Sequence, residues 1–179
     1  MYTRKIIIWD NSGTITDSKN PNDASGSEKV ILPNVEKAMK QAGAFNVICS
    51  GCKTPKSEQQ YFDPEKIIAN LKKLMLDLPV DVATFSAATG GVECWVIIKK
   101  NNGTSFEIRK AHEDIRYKHL IGQFKKPCTG MLTVIEDVLQ EYGLTINEKN
   151  TTFIGDRWHD IQAARDFRIP FLYAKDVHH

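Results

Sequence analysis

The stretch IIIWDNSGT, residues 6–14, decides the fold of this 179-residue chain. Four consecutive apolar residues end abruptly on Asp10, and turn-forming residues follow it. A short apolar run bounded by charge and by turn formers is typical of a strand buried on both faces of a sheet. Such a strand carries Asp10 to its carboxyl end, the edge where open α/β sheets bind their ligands. Gly13 lets the backbone after the strand turn sharply or approach a ligand closely.

A second acidic stretch, FIGDRWHD, occupies residues 153–160. Here too an apolar run ends on a glycine and a carboxylate, Asp156, and Asp160 follows one helical turn later. Two carboxylate clusters at strand ends indicate a shared hard cation, because Mg²⁺ takes oxygen ligands and few protein groups. We therefore expect Mg²⁺ as the cofactor. We expect neighbouring Trp158 and His159 to be structural or rim residues, since this metal prefers oxygen to imidazole.

The composition predicts a globular cytoplasmic protein without a membrane partner. Its 41% hydrophobic and 26% charged residues are ordinary for soluble domains. The net charge of +2 is too small to imply nucleic acid or a membrane surface by itself. No apolar run approaches the roughly 20 residues of a membrane span, and the N-terminus lacks a signal-peptide pattern.

The cysteine and histidine patterns carry little functional information. Cys49 and Cys52 have the spacing of a redox or zinc motif, but no second pair accompanies them. We expect Cys49, at the end of an apolar run, to be a small buried thiol. The terminal pair, His178 and His179, fits a tag remnant as well as native sequence.

Strand and helix signals alternate along the rest of the chain. Further strands are predicted at 45–49, 80–85, 152–154 and 170–173, and helices at 35–41, 65–76, 130–142 and 160–167. Residues 15–30, rich in Ser, Asn, Asp and Gly, are expected to form a loop or flap beside the site. Asn-Gly at 102–103 predicts a β-hairpin over about residues 92–110, followed by a polar helical segment through Gln123. The alternation predicts an α/β fold with a mostly parallel sheet covered on both faces.

Four short motifs occur in a characteristic order along the chain: DNSGT at 10–14, SG at 50–51, KP at 126–127 and GDRWHD at 155–160. In this order, over nearly the whole chain, they resemble the haloacid dehalogenase superfamily of phosphotransferases. KPCTGM at 126–131 and the last element are most similar to histidinol-phosphatase, heptose-bisphosphate phosphatase and polynucleotide 3′-phosphatase. The resemblance implies a Rossmann-like three-layer sandwich. It also implies one catalytic domain over residues 1–179, with a small hairpin-containing insertion at about 86–124.

The resemblance assigns a role to each element. Asp10 is expected to attack phosphorus and form an aspartyl-phosphate. Asp10, Asp156 and the backbone carbonyl of Ser12 are expected to hold Mg²⁺. Asp160 either binds the metal through water, supports its ligands or only caps the final helix.

The phosphate-binding groups follow from the other two elements. The Ser50 hydroxyl and the Gly51 N–H are expected to donate to phosphoryl oxygens, although a plain turn explains this dipeptide too. Lys126 is expected to pair with both the phosphate and Asp10, offsetting charge that opposes an anionic attack. Lys125 is its rival, but the position immediately before Pro127 matches the family better.

The chain departs from the family at Ser12, where these phosphatases usually carry a second aspartate. That aspartate protonates the leaving group and then activates water, and general acid–base catalysis is worth about 10²- to 10⁴-fold. We therefore predict a Mg²⁺-dependent phosphomonoester hydrolase acting on a small phosphorylated metabolite, with turnover reduced by Ser12. Two alternatives stay open: a polynucleotide 3′-phosphatase, and a weak or inactive pseudo-phosphatase that only binds phosphate. The sequence does not indicate an oligomeric state.

The insertion is locally basic. Residues 99–126 contain eight Lys or Arg and three acids, a difference of +5. This charge is suited to an anionic substrate such as a nucleic-acid end. Lysines that protect a hairpin edge from aggregation explain it as well. Aromatic residues are few there, so base stacking has little support in the insertion.

Overall fold

Strands and helices alternate along the chain in the computed structural model, which describes residues 3–18, 29–41, 43–51, 63–86 and 89–179. The strands are β1 (Ile6–Trp9), β2 (Thr16–Ser18), β3 (Lys29–Ile31), β4 (Phe45–Gly51), β5 (Val80–Ser86), β6 (Trp95–Lys100), β7 (Ser105–Lys110), β8 (Thr151–Gly155) and β9 (Phe171–Tyr173). The helices are α1 (Val35–Gln41), α2 (Pro64–Asp77), α3 (Gly130–Gln140), α4 (Trp158–Asp166) and α5 (Ala174–His178).

The main sheet has seven strands in the order β7-β6-β5-β4-β1-β8-β9. Strand β1 pairs in parallel with β4 on one side and with β8 on the other. The pairs β4–β5 and β8–β9 are also parallel, whereas β6 and β7 add an antiparallel hairpin at one edge. The α/β class and mostly parallel sheet are thus confirmed. The strand order reverses at β1, and ligands of open α/β sheets bind at such a reversal.

Strand β1 is buried on both faces because helices cover both sides of the sheet. Ile6 and Ile8 belong to one hydrophobic cluster, which also contains buried residues of α3 and α4. Ile7 and Trp9 point the other way, into a cluster with buried residues of α1, α2 and α5. Alternate side chains therefore enter two separate cores, which explains four consecutive apolar residues and gives the predicted three layers.

Three local predictions are corrected. The loop expected over 15–30 is wrong at both ends, because β2 and β3 pair there as a two-stranded antiparallel sheet; residues 19–28 lie outside the described part. The helical segment expected after the hairpin consists of two short 3₁₀ helices, Ala111–Glu113 and Ile115–Leu120, which end before Gln123. Helix α5 was not expected, since five residues hold too little periodicity to predict a helix.

The hairpin insertion continues the main sheet and then returns to its carboxyl edge. Asn101 and Asn102, in the connection, have positive φ angles, as an Asn-rich hairpin turn requires. The backbone N–H groups of Gly122 and Phe124 donate to the carbonyl of Gly91 at 3.0 and 3.1 Å. These bonds hold the end of the insertion beside the reversal point of the sheet.

Within the described ranges, no helix combines the length and apolar character that crossing a membrane requires.

Candidate active site

The carboxyl ends of β1, β4 and β8 meet at one cleft with a volume of about 530 Å³. Its lining consists of Asp10, Ser12, Gly51, Gly90, Gly122, Lys125, Lys126, Pro127, Cys128, Arg157, Trp158 and His159. All four sequence elements that carried the family resemblance contribute to this cleft or to the residues directly behind it. The fold thus brings together groups more than a hundred residues apart in the chain.

Asp10 is a nearly buried carboxylate with both oxygens held. Its Oδ1 accepts a 2.7 Å hydrogen bond from Nζ of Lys126, and its Oδ2 accepts one of 3.2 Å from the Thr14 hydroxyl. The Asp10 backbone N–H donates to the carbonyl of Ile154 in β8 at 2.9 Å. The carboxylate therefore has one orientation at the floor of the cleft, as an in-line nucleophile needs.

The turn after β1 depends on Gly13. Its φ of +80° lies in the left-handed region, which glycine adopts at no steric cost. A Cβ at this position would lie 2.1 Å from Oδ2 of Asp156. Gly13 therefore permits the close approach of the β1 turn to the carboxylate that follows β8.

Lys126 connects three acceptors in the interior. Besides Asp10, its ammonium donates to Oδ1 of Asp160 at 2.6 Å and to the carbonyl of Cys49 at 3.1 Å. Burial by itself would lower the pKa of Lys126, but the two carboxylate charges outweigh it and the pKa is raised. The residue is a permanent cation at neutral pH. The structure places Lys126 against the carboxylates, with Lys125 in the cleft wall.

Asp160 is completely buried and has donors on both oxygens. Its Oδ2 accepts the backbone N–H groups of Asp156 and Arg157, each at 3.2 Å, while Oδ1 faces Lys126. Arg157 is the N-cap of α4, and Asp160, three residues later, accepts the backbone N–H of Arg157, as the acidic residue of a capping box does. The side chain therefore fixes the start of α4 and the position of Lys126 at once.

The three aspartates form an all-oxygen cluster that fits a hard divalent cation. Asp10, Asp156 and Asp160 each present one carboxylate oxygen, and these three oxygens lie within 4.8 Å of one another. Burial, followed by a side-chain hydrogen bond with Asp10 and by the charges of Asp10 and Asp160, raises the pKa of Asp156 to about 6. A cation between the carboxylates would relieve this repulsion. Asp160 is completely buried, whereas Asp10 lines the cleft and the Asp156 side chain is 27% exposed, so Asp10 and Asp156 are the residues that could hold Mg²⁺ directly.

The expected phosphate-binding and carbonyl ligand groups lie around the same cluster. Gly51, at the end of β4, lines the cleft, and a Cβ there would lie 3.7 Å from Cε of Lys126. Ser50 immediately precedes it and is nearly buried. Ser12, which lines the cleft beside Asp10, is partly exposed. The positions predicted for phosphate contacts and for the Ser12 carbonyl therefore border the carboxylate cluster.

Sequence reasoning missed two parts of the site. One is the cleft wall formed by Gly90 and Gly122, which depends on how the insertion folds back. The other is the degree of exposure of Trp158, which was expected to be a structural or rim residue: it lines the cleft and is 68% exposed at the start of α4. An isolated tryptophan beside a motif carries no signal of exposure. Only the packing of α4 against the sheet decides which side of the helix faces solvent.

A third unpredicted contact connects the chain's last helix to the site. Nε2 of His178 in α5 donates to the carbonyl of Thr14 at 2.7 Å, and the His178 carbonyl accepts from the Asn34 side chain. His178 therefore supports the turn that carries Asp10 and Gly13.

The basic insertion is largely neutralised by ion pairs. The pairs within the described residues are Lys99–Asp81, Lys100–Glu107, Arg109–Glu107, Arg109–Glu141, Lys110–Glu113 and Arg116–Asp114. Two of these acids, Asp81 and Glu141, lie outside the segment from which the charge of +5 was counted. The hairpin surface is therefore less cationic than its sequence indicates, and edge protection explains its lysines better than binding of an anion.

Comparison with known proteins adds one match. A family model described as "Polynucleotide kinase 3 phosphatase" matches residues 5–170 of the chain. No curated protein matches this chain.

Proposed function

Because this chain belongs to the polynucleotide kinase 3 phosphatase family, a haloacid dehalogenase-like family, we propose that it is a Mg²⁺-dependent phosphomonoesterase with Asp10 as nucleophile. We further propose that it removes phosphate from the 3′ end of a polynucleotide. The observation that carries the reaction type is the nearly buried Asp10 carboxylate, held by Lys126 and Thr14 next to Asp156. The substrate class comes from the family's name, and a small phosphorylated metabolite is the competing substrate.

The residues around Asp10 supply what phosphoryl transfer needs. One Asp10 oxygen forms a bond to phosphorus while the bond from phosphorus to the ester oxygen breaks, leaving an aspartyl-phosphate and an alcohol. The Lys126 ammonium, with Ser50 and Gly51, is placed to balance the charge of the phosphoryl oxygens. When bound between Asp10 and Asp156, Mg²⁺ supplies further neutralisation of that charge. Asp160 keeps Lys126 in place throughout.

Because residue 12 is a serine, no carboxylate at that position can donate or accept the protons that the reaction transfers. The departing alkoxide needs a proton, and the attacking water must lose one to hydrolyse the aspartyl-phosphate. A serine hydroxyl has no suitable pKa for either step, so water must supply the first proton and accept the second. We therefore infer slow turnover, with hydrolysis of the intermediate as the slow step.

The Ser12 substitution also favours a second candidate function. In it, the chain binds Mg²⁺ and a phosphorylated end without releasing phosphate. This candidate shares the site, the metal and the ligand class, and differs only in turnover.

Phosphate release separates these functions. The substrates are an oligonucleotide with a 3′-phosphate, the same oligonucleotide with a 5′-phosphate, and glycerol 2-phosphate, each with Mg²⁺ or with EDTA. We expect release from the 3′-phosphate, dependent on Mg²⁺ and abolished in Asp10→Asn. Release from glycerol 2-phosphate alone would favour the metabolite substrate. Binding without release would favour the second candidate. Release that persists in Asp10→Asn would refute the mechanism.

A further inference from the structure

We propose that Trp158 is a specificity-determining residue, whose indole ring stacks on a nucleobase of the nucleic-acid end that enters the cleft. This inference rests on the proposed function, since it concerns the substrate of the same site. Base–aromatic stacking is a usual way to bind single-stranded ends, because every base offers a π-face.

The exposure of Trp158 is the first argument. The other two tryptophans are engaged in packing: Trp9 is fully buried, and Trp95 stacks on Phe85 with ring centroids 6.1 Å apart. Trp158, by contrast, is 68% exposed and contacts the ring of His159 in a T-shaped arrangement. It contributes to neither core cluster. A large aromatic side chain that the fold leaves in solvent at a cleft is available for a ligand.

The position of Trp158 is fixed relative to the nucleophile. It is the first residue of α4, and the backbone N–H of the preceding Arg157 donates to the buried Asp160 carboxylate. Asp160 contacts Lys126, and Lys126 contacts Asp10. Three hydrogen bonds thus connect the base of the indole to the carboxylate that attacks phosphorus. A residue that stacks on a base must keep a fixed distance from Asp10 if the phosphate at the end of the nucleic-acid strand is to reach that carboxylate.

The rest of the cleft suits a flat group with a charged backbone. Gly90 and Gly122 form one wall without side chains, and a Cβ on Gly90 would meet no atom within 4 Å. Lys125 and Arg157 line the cleft with Trp158 and bring positive charge for phosphates. The volume of about 530 Å³ lies within the range of ligand sites of nucleotide size.

Exposure alone would not support this inference, since single exposed apolar residues are common. Ile115 is more exposed still, at 84%, but it does not line the cleft. It provides a matched control. What distinguishes Trp158 is that exposure, ring geometry and charge coincide within the cleft that contains Asp10.

The test measures binding in the Asp10→Asn background, so that it does not depend on turnover. The probes are a 3′-phosphorylated dinucleotide and its analogue without the terminal base, titrated calorimetrically in the presence of Mg²⁺. Trp158→Ala should weaken binding of the dinucleotide about 5- to 150-fold, the range of one stacked base. It should change binding of the abasic analogue less than about 2-fold, since that analogue has no base to stack. Trp158→Phe should retain most of the affinity, and Ile115→Ala should leave both ligands unaffected.

Three outcomes would overturn the inference: no effect of Trp158→Ala, an equal loss for both ligands, or no binding of either ligand to the parent variant. Thermal unfolding of each variant checks that the fold is kept, and Trp158→Leu, which also removes the aromatic ring, repeats the test if the alanine variant does not fold. Phosphate release by the wild-type chain is measured separately. If release fails while base-dependent binding holds, the proposed turnover is wrong and the stacking stands. If release occurs without base dependence, the stacking is wrong and the reaction stands.

Discussion

Lys126 donates a 2.6 Å hydrogen bond from Nζ to Oδ1 of Asp160, a carboxylate with no exposed surface. The same ammonium contacts Asp10, and Asp160 accepts two backbone N–H groups at the start of α4. Asp10, the Lys126 cation and the start of α4 therefore form one buried unit, and each member depends on the others.

Lys126→Met should be strongly destabilising. The substitution keeps the volume but leaves Asp10 and Asp160 without their cation, and removing one partner of a buried pair costs about 3–5 kcal/mol. The free energy of unfolding in urea at pH 7 measures this loss, with exposed Lys118→Met as the control expected near zero. A loss below about 1 kcal/mol would contradict the buried charge arrangement.

Gly13→Ala should disable the site more than it destabilises the fold. Its Cβ would collide with Asp156, whereas Gly43→Ala, also at a positive φ of +55°, meets nothing within 4 Å. Both variants carry left-handed strain of about 1–2 kcal/mol. Only Gly13→Ala should displace the Asp156 carboxylate and lower kcat/KM about 10²-fold. Equal activity losses in the two variants would show that backbone strain, and not the approach to Asp156, is responsible.

Mg²⁺ should stabilise the protein more at pH 7.5 than at pH 5. The pKa of Asp156 is raised from 3.8 to about 6 in the fold, so the folded state retains a proton that the unfolded state releases. Without metal, the free energy of unfolding therefore falls as pH rises through this window. We expect a loss of about 1 kcal/mol, allowing for the partial exposure of the side chain.

Asp156→Asn tests the origin of that pH dependence. It should raise the melting temperature of the metal-free protein at pH 7.5 and remove the Mg²⁺ effect, as measured by thermal unfolding. Exposed Glu148→Gln should change neither. The prediction is contradicted if the free energy of unfolding of the metal-free wild-type protein rises between pH 4 and pH 6.5 and if Asp156→Asn abolishes that rise.

Ser12→Asp should raise turnover about 10²-fold or more, because it restores a carboxylate for proton transfer. In the wild-type chain, a reactive donor such as acetyl phosphate should leave aspartyl-phosphate accumulated on Asp10, visible by mass spectrometry. The variant should hydrolyse it faster. The added carboxylate beside Asp10 and Asp156 should also make activity depend more steeply on Mg²⁺. An unchanged or lower kcat in a folded variant would mean that Ser12 has another role.

Cys49 should resist alkylation in the folded protein. Burial raises the pKa of its thiol to about 11, although Lys126 opposes the shift, so only about one thiol in a thousand is thiolate at pH 8. Burial raises the pKa of Cys94 as well, whereas Cys128 is exposed. Among these three thiols, iodoacetamide at pH 8 should label Cys128 first, and the two buried ones only after unfolding. Peptide mapping reads each site separately, and fast labelling of Cys49 without unfolding would show that it is not buried.

Much of the fold was predictable because its signals are local. The apolar run at 6–9 predicts a strand buried on both faces, and the helix predicted at 65–76 corresponds to α2, whose N-cap Asp63 accepts the N–H of Glu65 at 3.0 Å. The errors occur where a local signal is weak. Strands β2 and β3 have three residues each and α5 has five, which is too few for periodicity to emerge.

The sequence alone determined which chemical groups stand at the ends of which strands, since strand ends and turns depend on neighbouring residues. It also set the four-element order that predicted the family. Only the tertiary structure decided how those groups meet. Lys126 bridges Asp10 and Asp160, the insertion's cations pair with acids from elsewhere, and Trp158 remains in solvent at the cleft that contains Asp10. These relationships join residues distant in the chain, and contacts of that kind depend on packing, which no local pattern encodes.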